Sequence, residues 1–201
     1  MLGNDVVDLA DVETRPETIH PRFDERVFTP SERAALAVAR FPRQFRWMLW
    51  AAKESAYKAL KKLDSRTVFS PQQFVVALEA PERATVEAPN QSFSVLFRNV
   101  GDLVHAIAVR KGVLESSIVA AARRLNSEPG CNLEPALASA AVRVLAVETL
   151  SRELGLSRDE IEIVSEGQLP RLRLRGVAAE VSLSHHGHFV AFAAMGTLRP
   201  K

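Results

Sequence analysis

The chain of 201 residues holds one cysteine, Cys131, so no disulfide can form within it. A lone thiol fits a reducing cytoplasm. Its setting, Pro129-Gly130-Cys131-Asn132, reads as a linker and not as a nucleophile's environment. Long apolar runs are also missing, and no charged stretch followed by an apolar one opens the chain. Neither a membrane span nor a secretory leader is expected. Charge of one sign is scarce: the net charge is +2, and the basic residues are scattered without an aromatic-rich stripe. That gives no support to nucleic-acid binding. What is there is ordinary for a globular protein, 47% hydrophobic and 25% charged. A chain of this length can bury one sizeable core, or two small ones packed as a pair.

Local signals organise it. Leu2–Leu9 alternates as a short strand, with Gly3 permitting close backbone approach at its start. Thr29-Pro30-Ser31-Glu32 is a capping box with proline at the first helical position, which predicts a helix over 30–40. A long helix is predicted over 43–63, because Arg46–Leu60 contains no Gly or Pro to stop it. Strands follow at Phe74–Leu78, Ser92–Phe97 and Leu103–Arg110. The Ala- and Val-rich stretch Val113–Leu125, ending in Arg123-Arg124, predicts a helix. Asn126–Pro135 is the best linker, and a second long helix over 136–154 ends at Gly155. Ile161–Val164 and two strands joined at Gly187 complete the chain. Each half is a helix followed by strands and closes on a similar apolar ladder, Val104–Val109 or Phe189–Ala194, a weak internal repeat.

The chemistry concentrates on Trp47-Met-Leu-Trp-Ala-Ala-Lys53-Glu54-Ser-Ala-Tyr-Lys58. Glu54 and Lys58 are one helical turn apart and share a face. In isolation such a pair is a surface salt bridge; as part of a site it suits acid–base or metal-assisted phosphate chemistry. Asp5 and Asp8 are an odd number apart, so on a regular strand they point to opposite faces. Ser184-His185 ends a strand near the carboxyl end. His20, His105, His186 and His188 read as structural, and the close spacing of the histidines at 185–188 is poor for a zinc site. Arg171-Leu-Arg173-Leu-Arg175 sets arginines on one strand face, either a solvated face or a landing strip for an acidic partner or for phosphates.

Gly3-Asn-Asp-Val-Val-Asp-Leu, Trp50-Ala-Ala-Lys-Glu-x-x-x-Lys and Ser182-Leu-Ser-His, in that order, resemble the 4′-phosphopantetheinyl transferase superfamily. The resemblance implies an α+β fold, a pseudo-dimer of two similar halves, each a long helix packed on a small antiparallel sheet. Residues 1–112 resemble the second half of the larger, surfactin-synthetase-activating class, and residues 136–201 resemble its first half, with 113–135 as connecting helix and linker. The halves therefore stand in swapped order. A monomer would then supply one complete site, where the small class, the holo-acyl-carrier-protein synthases, needs a trimer.

The resemblance further implies transfer of the phosphopantetheine arm of coenzyme A to a serine of an apo acyl or peptidyl carrier protein, with Mg2+ and release of 3′,5′-ADP. Asp5 and Glu54 match the metal-holding positions, with Asp8 the weaker ligand on the opposite-face argument; Mn2+ would suit the same carboxylates. Glu54 also matches a proton acceptor and Lys58 a lysine set against the pyrophosphate. Ser184 and His185 match the pair that contacts coenzyme A. Lys53, about 100° round the helix from Glu54, is either a further coenzyme A contact or an exposed lysine beside the site. Two departures stand out. Val7 occupies the place of an acidic residue in the larger class, and Gly167-Gln168-Leu169-Pro170 stands where that class often has Gly-Lys-Pro. Arg143, Arg171 and Arg124 are the candidates to replace the missing lysine. Two other classes compete: a non-catalytic binder of carrier protein or coenzyme A, and a metal-dependent nucleotide hydrolase.

Overall fold

A computed structural model describes residues 1–126, 134–167 and 169–195. Cys131, Gln168 and most of the expected linker lie outside the described residues. The first half begins with strand β1 (Leu2–Asp8), continues through α1 (Phe23–Val27), α2 (Pro30–Ala37) and α3 (Pro42–Lys61), and ends in β2 (Val75–Ala80), β3 (Arg83–Ala88), β4 (Gln91–Phe97) and β5 (Leu103–Arg110). The second half runs β6 (Ile118–Arg124), α4 (Pro135–Leu154), β7 (Ile161–Glu166), β8 (Leu169–Leu174), β9 (Val177–His186) and β10 (Phe189–Met195). Each half forms an antiparallel five-stranded sheet, ordered β1-β5-β4-β3-β2 and β6-β10-β9-β8-β7. The two orders are the same when read half by half. The fold is therefore an α+β pseudo-dimer, each half a long helix on one antiparallel sheet.

The stretch expected as a helix over Val113–Leu125 is instead strand β6, paired with β10 from Ile118↔Met195 to Arg124↔Phe189. Alanine favours helix locally, but tertiary context overrides so weak a preference. Alternate residues of β6 serve two faces. Val119 and Ala121 pack toward α4; Ile118, Ala120 and Ala122 pack with residues of β1 and β5. The small side chains let the sheets approach. The second sheet thus starts inside the segment expected to be a connector. Strand β3 also departs from the sequence expectation, because Glu82 and Pro89 flank it with turn signals.

The two sheets meet through β1, β5, β6 and β10. Leu2, Ile107 and Val109 of the first sheet pack with Ile118 and Ala193 of the second, and Val6 packs with Phe189 and Ala191. The opposite face of the first sheet, with Val7, Val104, Ala106 and Ala108, buries α3 through Ala52, Ala56 and Ala59. Alanines on that helix face allow a short separation. The expected capping box is present at the start of α2, where Thr29 Oγ1 accepts from Glu32 N–H.

Separation is least at Gly3. A Cβ there would lie 2.1 Å from the Ser55 carbonyl oxygen and 2.7 Å from the Ala59 nitrogen. Backbone, not a flexible side chain, fills the space, so Gly3→Ala must lift α3 from β1. We expect a loss of about 2–3 kcal/mol in denaturant unfolding, larger than for any alanine substitution at the open turn glycines.

Candidate functional site

Glu54, Lys58 and Lys62 sit on successive turns at the end of α3, Lys62 as its C-cap residue. With α3 pressed on β1, Lys58 reaches the junction between the halves. Its Nζ donates to Asp5 Oδ1 at 2.6 Å and contacts Ser184 Oγ at 3.3 Å. Ser184 Oγ in turn donates to Asp5 Oδ1 at 3.1 Å. Strand β1, helix α3 and strand β9 thus bring one carboxylate, one ammonium and one hydroxyl together. Asp5 is largely buried and Lys58 is about a third exposed, which leaves the cluster open to a ligand on one side.

Ser184 reaches β1 because the edge of that strand is closed by side chains. Amides of Asn4, Val6 and Asp8 donate to Ser182 Oγ, Ser184 Oγ and His186 Nδ1, at 2.9, 3.3 and 3.2 Å. Both series advance by two residues, so β9 lies alongside β1 in parallel, joined by side chains where a sheet would use carbonyls. Lys62 closes one end of this ladder, donating to the carbonyls of Leu2 and Val181 at 2.6 and 2.7 Å. Burial pulls the Lys62 pKa down to about 8, opposed by Glu180 and reinforced by Arg171 and Lys58. Lys62 is not among the sequence candidates; the one signal for it is its place one turn beyond Lys58 on the same helix face, which does not show what the side chain meets.

The Glu54 carboxyl is pushed up to about 7, mainly by burial and next by the Asp5 charge, with Lys58 acting against both. A carboxylate whose charge raises its neighbour's proton affinity suits a shared cation, which would reverse the effect on Glu54. Among the described residues no group of three or more acidic, histidine or cysteine side chains gathers in metal-binding geometry. A cation here would rest on Asp5 and Glu54, with water and substrate oxygens completing its shell.

Other sequence candidates fall elsewhere. Asp8 faces away from α3: its Oδ1 accepts from Ala10 N–H and its Oδ2 from His188 N–H. The carboxylate braces the β9–β10 turn, where a Cβ on Gly187 would come within 2.6 Å of it. That role corrects its candidacy as a metal ligand. Lys53 is also corrected. It is wholly buried in an ion pair with Glu32 at 2.8 Å and donates to the carbonyls of Pro71 and Phe74, so it cannot touch coenzyme A. Burial lowers its pKa, against the pull of Glu32. Arg143 is held by Ser139 and by Ser165 at 3.1 Å in the second half and joins none of the clustered residues. His185 follows Ser184 on the strand and so points to the other face, where it is exposed. Its pKa is lowered by partial burial, then by the charges of Lys58 and His186. The arginine strip is matched by carboxylates, Arg171 with Glu166, Arg173 with Glu162 and Arg175 with Glu160.

The positions in the repeat that correspond to Asp5, Glu54 and Lys58 carry no charge. Ala121 pairs with Phe192 where Asp5 pairs with Ala106, each opposite the fourth residue of the last strand. Counted from the proline that opens each long helix, Glu54 corresponds to Val147 and Lys58 to Ser151. Beside Ala121, Arg98 of the β4–β5 turn donates to the Ala120 carbonyl at 2.7 Å. The charged cluster is therefore built at one end of the repeat and not at its counterpart.

Two substitutions separate these roles. Lys53→Met strands a buried carboxylate and should cost about 3–5 kcal/mol in denaturant unfolding. Glu54 gives the opposite result. Its folded pKa lies above the ordinary 4.5, so stability is lost as pH rises from there to about 7. In metal-free buffer, Glu54→Gln should therefore raise stability at pH 8 by roughly 2–3 kcal/mol and leave it unchanged at pH 4; a pH series of thermal melts reads both.

No helix among the described residues is long and apolar enough to cross a membrane. No curated protein sequence matches the chain. Among solved structures it is similar to Thermotoga maritima holo-[acyl-carrier-protein] synthase, at 14% identity over 88% of this chain and 83% of that one, with a TM-score of 0.43. A family model described as the 4′-phosphopantetheinyl transferase superfamily matches residues 1–108, which contain Asp5, Glu54 and Lys58. With more than half of its length matched in this way, the chain belongs to the 4′-phosphopantetheinyl transferase superfamily.

Proposed function

We propose that the chain transfers the 4′-phosphopantetheine arm of coenzyme A to a serine of an apo acyl or peptidyl carrier protein at the Asp5–Glu54–Lys58–Ser184 junction. The observation that carries this reading is the convergence of Lys58, Asp5 and Ser184 from both halves beside a carboxyl poised near neutrality. In the transfer, the carrier serine oxygen bonds to the phosphorus that bears the pantetheine. The bond from that phosphorus to the bridging oxygen breaks, and 3′,5′-ADP departs.

Glu54 takes the serine proton, a role open to a carboxylate standing beside Asp5 and Lys58 at the junction. Lys58, the one ammonium in the cluster, faces the charge that builds on the departing phosphate. Ser184, held against Asp5, offers its hydroxyl to the donor from the second half. Mg2+ bound by Asp5 and Glu54, or Mn2+ in its place, would supply charge neutralisation on the pyrophosphate. Because both halves belong to one chain, a monomer suffices for one site.

Intact-mass analysis with coenzyme A, Mg2+ and a panel of apo carrier domains tests the proposal. The expected result is a gain of one phosphopantetheinyl arm on a carrier. Asp5→Ala, Glu54→Gln, Lys58→Ala and EDTA should each lower the rate by about 100-fold or more. Coenzyme A binding without transfer to any carrier would point to a non-catalytic binder instead. Coenzyme A cleavage with no carrier present would point to a hydrolase.

A further inference from the structure

Lys62 lies outside the chemistry just described, yet it spends a part-buried ammonium on two backbone carbonyls. One belongs to β1, at Leu2, and the other to β9, at Val181. Three residues further along each strand stand Asp5 and Ser184, the two groups that Lys58 joins. The strands run in parallel and share no backbone ladder; their register is carried by Ser182, Ser184 and His186. A hydroxyl or imidazole acceptor is a looser guide than a carbonyl row, since each side chain can rotate away. A tie that grips both backbones is therefore the firmest link between the strands.

We propose that Lys62 is a positioning residue: by tying Leu2 of β1 to Val181 of β9 it sets the separation at which Ser184 meets Asp5 and Lys58. The ammonium supplies two bonds at once to carbonyls from different halves. Desolvation of such a group is costly unless its donors are used, and here two of them are. Glu180 beside it is also bound by the amino terminus at 3.4 Å, which adds a second, weaker tie between the start of β1 and β9. Arg171 and Lys58 supply like charge nearby. The inference rests on the proposed transfer for its consequence in catalysis, but the tie itself is a property of the fold.

Two readouts keep the tie and the transfer apart. Amide hydrogen exchange reports the β1–β9 ladder directly, whatever the protein does. In Lys62→Met, the Val6 and Asp8 amides should exchange about tenfold or more faster than in the parent, while amides between β3 and β4 keep their rates. Lys62→Arg, which retains donors for both carbonyls, should restore protection. In the transfer assay, Lys62→Met should raise KM for coenzyme A about tenfold with kcat within about threefold, and Lys62→Arg should recover most of it. Should the methionine variant fail to fold, Lys62→Gln, with a single amide donor group, takes its place in both measurements. Unchanged protection of Val6 and Asp8 in the folded variant overturns the proposal, as does a fall in thermal stability with KM unmoved. If the parent protein transfers nothing and binds no coenzyme A, the proposed function fails, and exchange at Val6 and Asp8 still decides the tie.

Discussion

The approach of α3 to β1 at Gly3 governs everything built around it. Because the helix backbone rests where a Cβ would have to stand, residues on one helix face are carried to the edge of the first sheet and into reach of the second half. Lys58 then meets both Asp5 and Ser184, and Lys62 meets Leu2 and Val181. A helix held an ångström or two further out would leave the same residues on a solvated face, where an ion pair contributes little. The alanines Ala52, Ala56 and Ala59 serve the same end, since bulk at those positions would undo the contact that glycine permits.

Charge is handled in two contrasting ways on this one helix. Lys53 is sealed in the core with Glu32, and every bond it makes is internal. Lys58, five residues on, remains partly open and shares its partner with a hydroxyl from the other half. The first arrangement fixes the packing of α2, α3 and the start of β2. The second leaves an ammonium and a carboxylate that a ligand can compete for. Adjacent Glu54 belongs with the second group, and its raised proton affinity records the discomfort of a half-buried charge beside another of the same sign.

Much of this was legible in the residue order, and the rest fails for identifiable reasons. Spacing put Glu54 and Lys58 on one face and set Asp5 and Asp8 on opposite faces, and both hold. Thr29 and Glu32 announced a capped helix. Spacing cannot say what a face will meet, and so it sets Lys53 beside the site when the side chain is buried behind it. The Ala-rich segment Val113–Leu125 gives a helical signal, although the two facing sheets require small residues in a strand at Ile118–Arg124. The arginines at 171, 173 and 175 stood out as a basic strip, but the neutralising carboxylates come from Glu160, Glu162 and Glu166, a separate run of chain.

The capping carboxylate of α2 has one more effect. With β1 and β6 turned toward the interior, the strands left at the rim of the two sheets are β2 and β7. Rim strands invite a second polypeptide to add itself, the first step toward fibrils. Glu32, already bonded to Lys53, also accepts from the Val76 amide at 2.7 Å, occupying one of the free donors of β2. The same strand loses register between Leu78 and Ala80, and β7 displays Glu162 and Glu166 to water. A residue that starts a helix and neutralises a buried lysine thus also blunts the rim of a sheet.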